Sequence, residues 1–155
     1  MTSKTLFSRI SEIIAGTEPR IDRFQKIARM LRESAGYRWI GLYEVDSARG
    51  EVRNLVWDGP AAPEYPTFPI SKGLTSDAIA EKRTVNVGDV RTDARYLTAL
   101  SSTRSEIIVP VLDGQGRVVG TVDVESERSN AFDQQAEQFL ENCAVLLRPL
   151  FVEAR

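Results

Sequence analysis

Histidine is absent from the 155 residues, and cysteine occurs once, as Cys143. Without imidazole there is no Ser-His-Asp or Cys-His pair and no His-ligated zinc or haem. One thiol excludes an intramolecular disulfide and every CxxC arrangement. Neither sign of charge dominates: 20 Lys and Arg stand against 22 Asp and Glu, a net −2, which gives no footprint for nucleic acid. No run approaches the roughly 20 apolar residues of a membrane span. Gly-rich phosphate loops of the GxGxxG or GxxxxGK type are missing. What is there is 42% apolar and 27% charged residues, the composition of a soluble globular chain of about one domain. The amphipathic N-terminus is no signal core, so a cytoplasmic protein is expected.

Residues 1–36 read as two helices. Leu6, Ile10, Ile13 and Ile14 recur at helical spacing, with Ser3 as a cap and Gly16 as a stop. A second helix follows Pro19, carries Ile21, Phe24, Ile27, Ala28 and Leu31, and ends at Gly36. Arg20, Arg23, Lys26, Arg29 and Arg32 drift about 60° per step around that helix, so they read as a solvated polar face. Residues 37–131 change period. YRWIGLYEV and EVRNLVW alternate as strands, and four prolines between 60 and 69 make an irregular loop. A short TFPI strand, a helix over 74–81, a strand over 84–87 and a loop over 89–100 follow, the loop with one helical turn around 95–100. SEIIVPVL and RVVGTVDVES form a hairpin across Asp113-Gly114-Gln115-Gly116. A C-terminal helix occupies 132–155, with Ala136, Phe139, Leu140, Cys143, Leu147 and Leu150 on its apolar face. The fold class is therefore α+β, one domain over 1–155. An antiparallel sheet carries terminal helices on one face, and the loops 58–69 and 88–104 close the other.

Three acids sit inside apolar strands. Asp123 and Glu125, two apart, face the same way, and the hairpin brings Glu106 near the level of Asp123. Three neighbouring carboxylates in partial burial need a cation or donors, and an ammonium group or an oxygen-ligated metal would serve. The alternative is an acidic face turned to solvent. Cys143 reads as a packed core thiol. Trp39 and Trp57 are either core aromatics or pocket walls.

YRWIGLYEV, PISKGLTSDAI, SEIIVPVLDGQGRVVGTVDVES and AFDQQAEQFL together resemble a GAF domain. More narrowly, they resemble the small GAF proteins that reduce free methionine-(R)-sulfoxide. The resemblance covers about residues 37–147. It implies a twisted antiparallel sheet with helices on one face and a ligand pocket under long loops on the other. It also implies that Glu106, Asp123 and Glu125 grip the amino group of a free amino acid, and it matches Trp39 to the family's aromatic block. The family's cysteines do not carry over: Tyr65, Thr75 and Ala99 stand at or beside their three positions. A thiol-dependent reduction, which stores two electrons in a disulfide, is therefore not expected.

The resulting expectation is a non-catalytic protein that binds a free amino acid or small amine through Glu106, Asp123 and Glu125. Trp39, Tyr65, Thr75 and Ala99 shape the pocket, without metal or cofactor. The alternatives are a homodimeric interaction module with an empty pocket and an enzyme of unrecognised type using the acids with Tyr43 or Tyr65. Neither a nucleic acid nor a membrane is an expected partner, and a homodimer is expected.

Overall fold

A computed structural model describes residues 1–97 and 100–153. The helices are α1 (Ser3–Ala15), α2 (Arg20–Ala35), α3 (Gly73–Glu81) and α4 (Gln134–Phe151). The strands are β1 (Trp39–Asp46), β2 (Glu51–Asp58), β3 (Thr67–Pro69), β4 (Val85–Val87), β5 (Ser105–Leu112) and β6 (Val118–Ser126). All strand pairs are antiparallel, in the order β3-β2-β1-β6-β5-β4. This is the α+β layout expected from the alternation of periods, with β1 and β6 central.

The period-two pattern sorts the side chains. Ile40 and Leu42 of β1, Ile107, Val109 and Val111 of β5, and Val122 and Val124 of β6 share one face. Against it pack Leu6 and Ile10 of α1, Phe24, Ile27 and Leu31 of α2, and Leu140, Cys143 and Leu147 of α4. Trp39, Tyr43 and Val45 point the other way. Because β1 is buried on both faces, its run of apolar residues is nearly continuous. On the second face Phe68, Leu97 and Leu100 from the two long connections pack beside Trp39 and Tyr43, and α3 lays Leu74 and Ala78 on Ile108.

Several local expectations change. The Thr2 hydroxyl, not Ser3, caps α1 by accepting from the Thr5 amide at 3.2 Å. The helical turn expected around 95–100 includes positions 98 and 99, outside the described residues, while a 3₁₀ turn not foreseen stands at Val90–Thr92. Its lead is Asp89, whose carboxylate accepts the Arg91 amide. Arg23 is not solvated: it is 5% exposed. Its guanidinium donates to the carbonyls of Glu18 (2.8 Å) and Ile14 (2.9 Å) and to Glu153. Glu153, just beyond α4, thus meets α2, a long-range contact that helical spacing does not encode. Asp133 caps α4 through the Ala136 amide at 2.8 Å, at the place where the phenylalanine-aspartate pair suggested the helix start.

Candidate functional site

The hairpin β5–β6 carries the acids. Asp113 organises its turn, with one carboxylate oxygen accepting the amides of Gln115 (2.8 Å) and Arg117 (2.9 Å). With an irregularity at Val111/Leu112, this wider turn sets Glu106 opposite Glu125 and Ile108 opposite Asp123. The level expected for Glu106, beside Asp123, is therefore wrong by two residues. A shift of two preserves the face of every side chain, so all three acids still project from one side of the sheet.

Glu106 and Glu125, directly opposed, place their Cβ atoms about 5 Å apart, and Asp123 lies on the diagonal. Their exposures are 5%, 1% and 5% for Glu106, Glu125 and Asp123. Glu106 Oε2, Asp123 Oδ1 and Glu125 Oε2 are each buried without a hydrogen-bond partner. Among the described residues no Lys or Arg makes an ion pair with any of them. Desolvation first, then mutual repulsion, pushes Glu106 well above the usual carboxylate range. Desolvation and the Glu125 charge do the same to Asp123 against a lowering contribution from Thr121. Glu125 rises to about 7, because Thr103 and Tyr96 partly offset its burial.

A cavity of about 20 Å³ opens on the acids, lined among others by Tyr43, Tyr65, Thr75, Leu97, Glu106 and Asp123. That volume accepts one water-sized group. Four of the expected site residues, Glu106, Asp123, Tyr65 and Thr75, thus meet at one cavity. Glu125 and Trp39 do not line it. Trp39 is fully buried beneath the sheet's loop side, and its indole N–H donates to the Ala61 carbonyl at 3.0 Å. Ala99 lies outside the described residues. Cys143 sits on α4 against the opposite face of the sheet, its thiol pushed up to about 12 by burial.

Tyr96 escaped the reading of the chain. Its hydroxyl donates to Glu125 Oε1 at 2.9 Å, and its ring packs beside Leu74, Ala78 and Ile108. An aromatic residue within the polar stretch DVRTDARYL was the available signal. Among the described residues no three His, Cys, Asp or Glu side chains are placed to share a metal ion, and no helix is long and apolar enough to cross a membrane.

A sequence model of the GAF domain matches residues 19–148, and the chain belongs to this family. Among its relatives is GAF domain-containing protein A of Dictyostelium discoideum, 27% identical over 93% of this chain and 89% of that protein. The free methionine-R-sulfoxide reductase of Saccharomyces cerevisiae is 29% identical over 70% of this chain and 60% of its own length. A solved free methionine-R-sulfoxide reductase from Neisseria meningitidis, in complex with its substrate, is 30% identical. It superposes with a TM-score of 0.85 over 96% of this chain and 87% of that one.

Proposed function

We propose that this protein is a non-catalytic binder of a small molecule bearing a primary ammonium group, with a free amino acid as the first ligand class. The observation that carries this reading is the set of three buried carboxyls, each with an unpartnered oxygen and, among the described residues, none in an ion pair. Buried charge of one sign is costly unless a counter-charge with hydrogen-bond donors arrives. An ammonium group brings both, with three donors suited to several carboxylate oxygens. It is also about the size of the cavity, whereas the remainder of an amino acid requires Tyr65, which is half exposed, to swing outward. The absence of a metal-sharing geometry among the described residues favours the ammonium over a cation of the oxygen-ligated kind.

The similarity to reductases of free methionine sulfoxide supports the same ligand class. Their chemistry is a separate matter. The only thiol is Cys143, buried in the helix-covered core with its pKa raised, and the cavity wall holds Tyr65 and Thr75. Without a second cysteine no intramolecular disulfide can take up the two electrons.

Isothermal titration against free amino acids and simple primary amines tests the binding. We expect a saturable response for at least one of them, weakened tenfold or more by Glu106→Gln, as for loss of a hydrogen bond to a charged group. A flat response across the series, or an unaltered affinity in the variant, removes the amine reading. Incubation with methionine sulfoxide and a dithiol reductant should give no turnover. Turnover that survives Cys143→Ala would show a catalyst.

A further inference from the structure

The three acids are not equivalent: two hydroxyls, those of Thr103 and Tyr96, act on Glu125. Glu106 and Asp123 line the cavity; Glu125 stands beside them and does not. Glu125 alone accepts a side-chain hydrogen bond from a tyrosine, the 2.9 Å contact from Tyr96. The phenol is firmly placed. Its ring is wedged into the cluster of Leu74, Ala78 and Ile108, and its amide donates to the Asp93 carbonyl at 3.2 Å. The preceding residue, Arg95, bridges Asp93 and Asp77 of α3. A second acceptor, the Leu100 carbonyl, lies at 3.4 Å from the hydroxyl, so the shorter contact to Glu125 holds the proton.

A donor aimed at a carboxylate favours its ionised form. Three carboxyls so close and so dry cannot all ionise together, and whichever bears the hydrogen bond ionises first. The titratable groups coupled in charge to Glu125 are Glu106 from β5, Asp123 from its own strand, Tyr43 from β1 and Tyr96 itself; Tyr37, Arg38, Arg128 and Asp133 share a neighbouring groove with it, and neither arginine is in an ion pair with it. The Thr103 hydroxyl lowers Glu125 more than Tyr96 does, so loss of the Tyr96 donor removes only part of what sets Glu125 apart. Tyr43 and Tyr96 are both held well above the ordinary phenol range by burial and by these acids, so neither competes as an acid.

Resting on the amine-binding reading, we propose that Tyr96 is a positioning residue of the site. Its hydroxyl helps make Glu125 the first carboxyl of the cluster to ionise, and the entering ammonium then displaces the protons still held by the cluster. Binding is consequently an exchange of one cation for protons, and it strengthens as pH rises. Proton balance is complete: the ammonium keeps its three protons, and those from the carboxyls pass to solvent. Tyr96 decides over which pH range the exchange runs.

The test uses Tyr96→Phe, which keeps the ring in its pocket and removes only the donor. Titration of L-methionine at several pH values between 5.5 and 8.5, in buffers of different ionisation enthalpy, reads affinity and proton release together. For the wild-type protein we expect tighter binding at higher pH with net proton release. For Tyr96→Phe we expect the same rise displaced upward by about one pH unit. Superimposed profiles, or a loss of affinity equal at every pH, overturn the role of Tyr96. Carbon-13 titration of the side-chain carboxyls in the unliganded proteins is the independent arm. Glu125 should titrate below Glu106 and Asp123 in the wild type and move upward in Tyr96→Phe; an unmoved Glu125 refutes the pairing. An absence of methionine binding by the wild type counts against the ligand class, while the carboxyl titration still decides the part played by Tyr96.

Discussion

A methyl group at Gly41 would collide with the Trp39 indole and the Tyr43 ring, and one at Gly59 would strike the same indole from the loop side. The largest fully buried side chain of the site face thus lies between two residues that contribute none. Gly41→Ala should cost about 1–3 kcal/mol, the range for overpacking a filled core, measured as a lower urea midpoint with an unchanged slope. Cys143 is the opposite case, a side chain whose chemistry is silenced by its surroundings. Fully buried and with its thiol pushed up to about 12, it offers almost no thiolate to an alkylating agent. Iodoacetamide at pH 8 should leave the folded protein unmodified and label it within minutes in denaturant. Labelling of the native protein at the denatured rate would contradict the packing described for α4. The composition made Cys143 conspicuous, and the helical spacing placed it in the core. That much was legible because both arguments need only local sequence.

At the scale of elements, α2 depends on contacts that its own sequence does not announce. Arg20 donates to the carbonyls of Leu150 and Phe151 at 2.8 and 2.9 Å, satisfying groups at the end of α4 that lack intrahelical partners. Arg23, in α2, joins the end of α1, the connection before α2 and Glu153. Removing a buried donor of several hydrogen bonds strands the acceptors, so Arg23→Met should destabilise the fold by about 2–4 kcal/mol. An exposed pair such as Lys26–Glu18 should give less than about 1 kcal/mol under the same measurement. If Arg23→Met proves as mild as Lys26→Met, the three-way tether is not what fixes α2. The expected solvated polar face failed at Arg23 for a physical reason. Helical spacing gives the angle of a side chain about its own axis, whereas burial depends on which distant segment covers it. The hairpin shows the same limit. Alternation along β5 and β6 assigned each side chain to its correct face, but the bulge and the five-residue turn organised by Asp113 set the register.

Across the whole molecule the acids link the fold to pH. A carboxyl whose pKa is higher folded than unfolded binds more protons in the folded state, so stability falls as pH rises. For Glu125 the loss runs from near its ordinary value of 4.5 up to about 7; Glu106 and Asp123, both raised well above their ordinary values, act in the same direction. Asp89, Asp93, Asp113 and Glu153 act in reverse. Partners led by Arg91, Arg95, the Arg117 amide and Arg23 lower them, and their contribution disappears as pH falls through the acid range. The melting temperature of the unliganded protein should therefore peak in mildly acidic solution and decline towards pH 8. Glu106→Gln should flatten that decline and raise the melting temperature at pH 8, because it removes a charge with no partner. A wild-type protein equally stable at pH 5 and pH 8 would mean that the cluster is hydrated or neutralised in solution.

The sequence by itself determined the layers. Period 3.6 at both ends, period 2 between them and four prolines in one connection prescribe helices, an antiparallel sheet and irregular loops, since each pattern reflects the geometry of its own backbone. It determined also that Asp123 and Glu125 share a face, and that no pair of thiols exists. Only the tertiary structure decided that β6 lies between β1 and β5, that Glu125 stands opposite Glu106, and that Tyr65 and Thr75 meet Glu106 and Asp123 around one small cavity. It alone brought Tyr96 to Glu125, across 29 positions of chain. Those relations join segments that are distant along the chain. They are fixed by strand order, register and the loops that close over the sheet, and none of these is a periodic property of the residues involved.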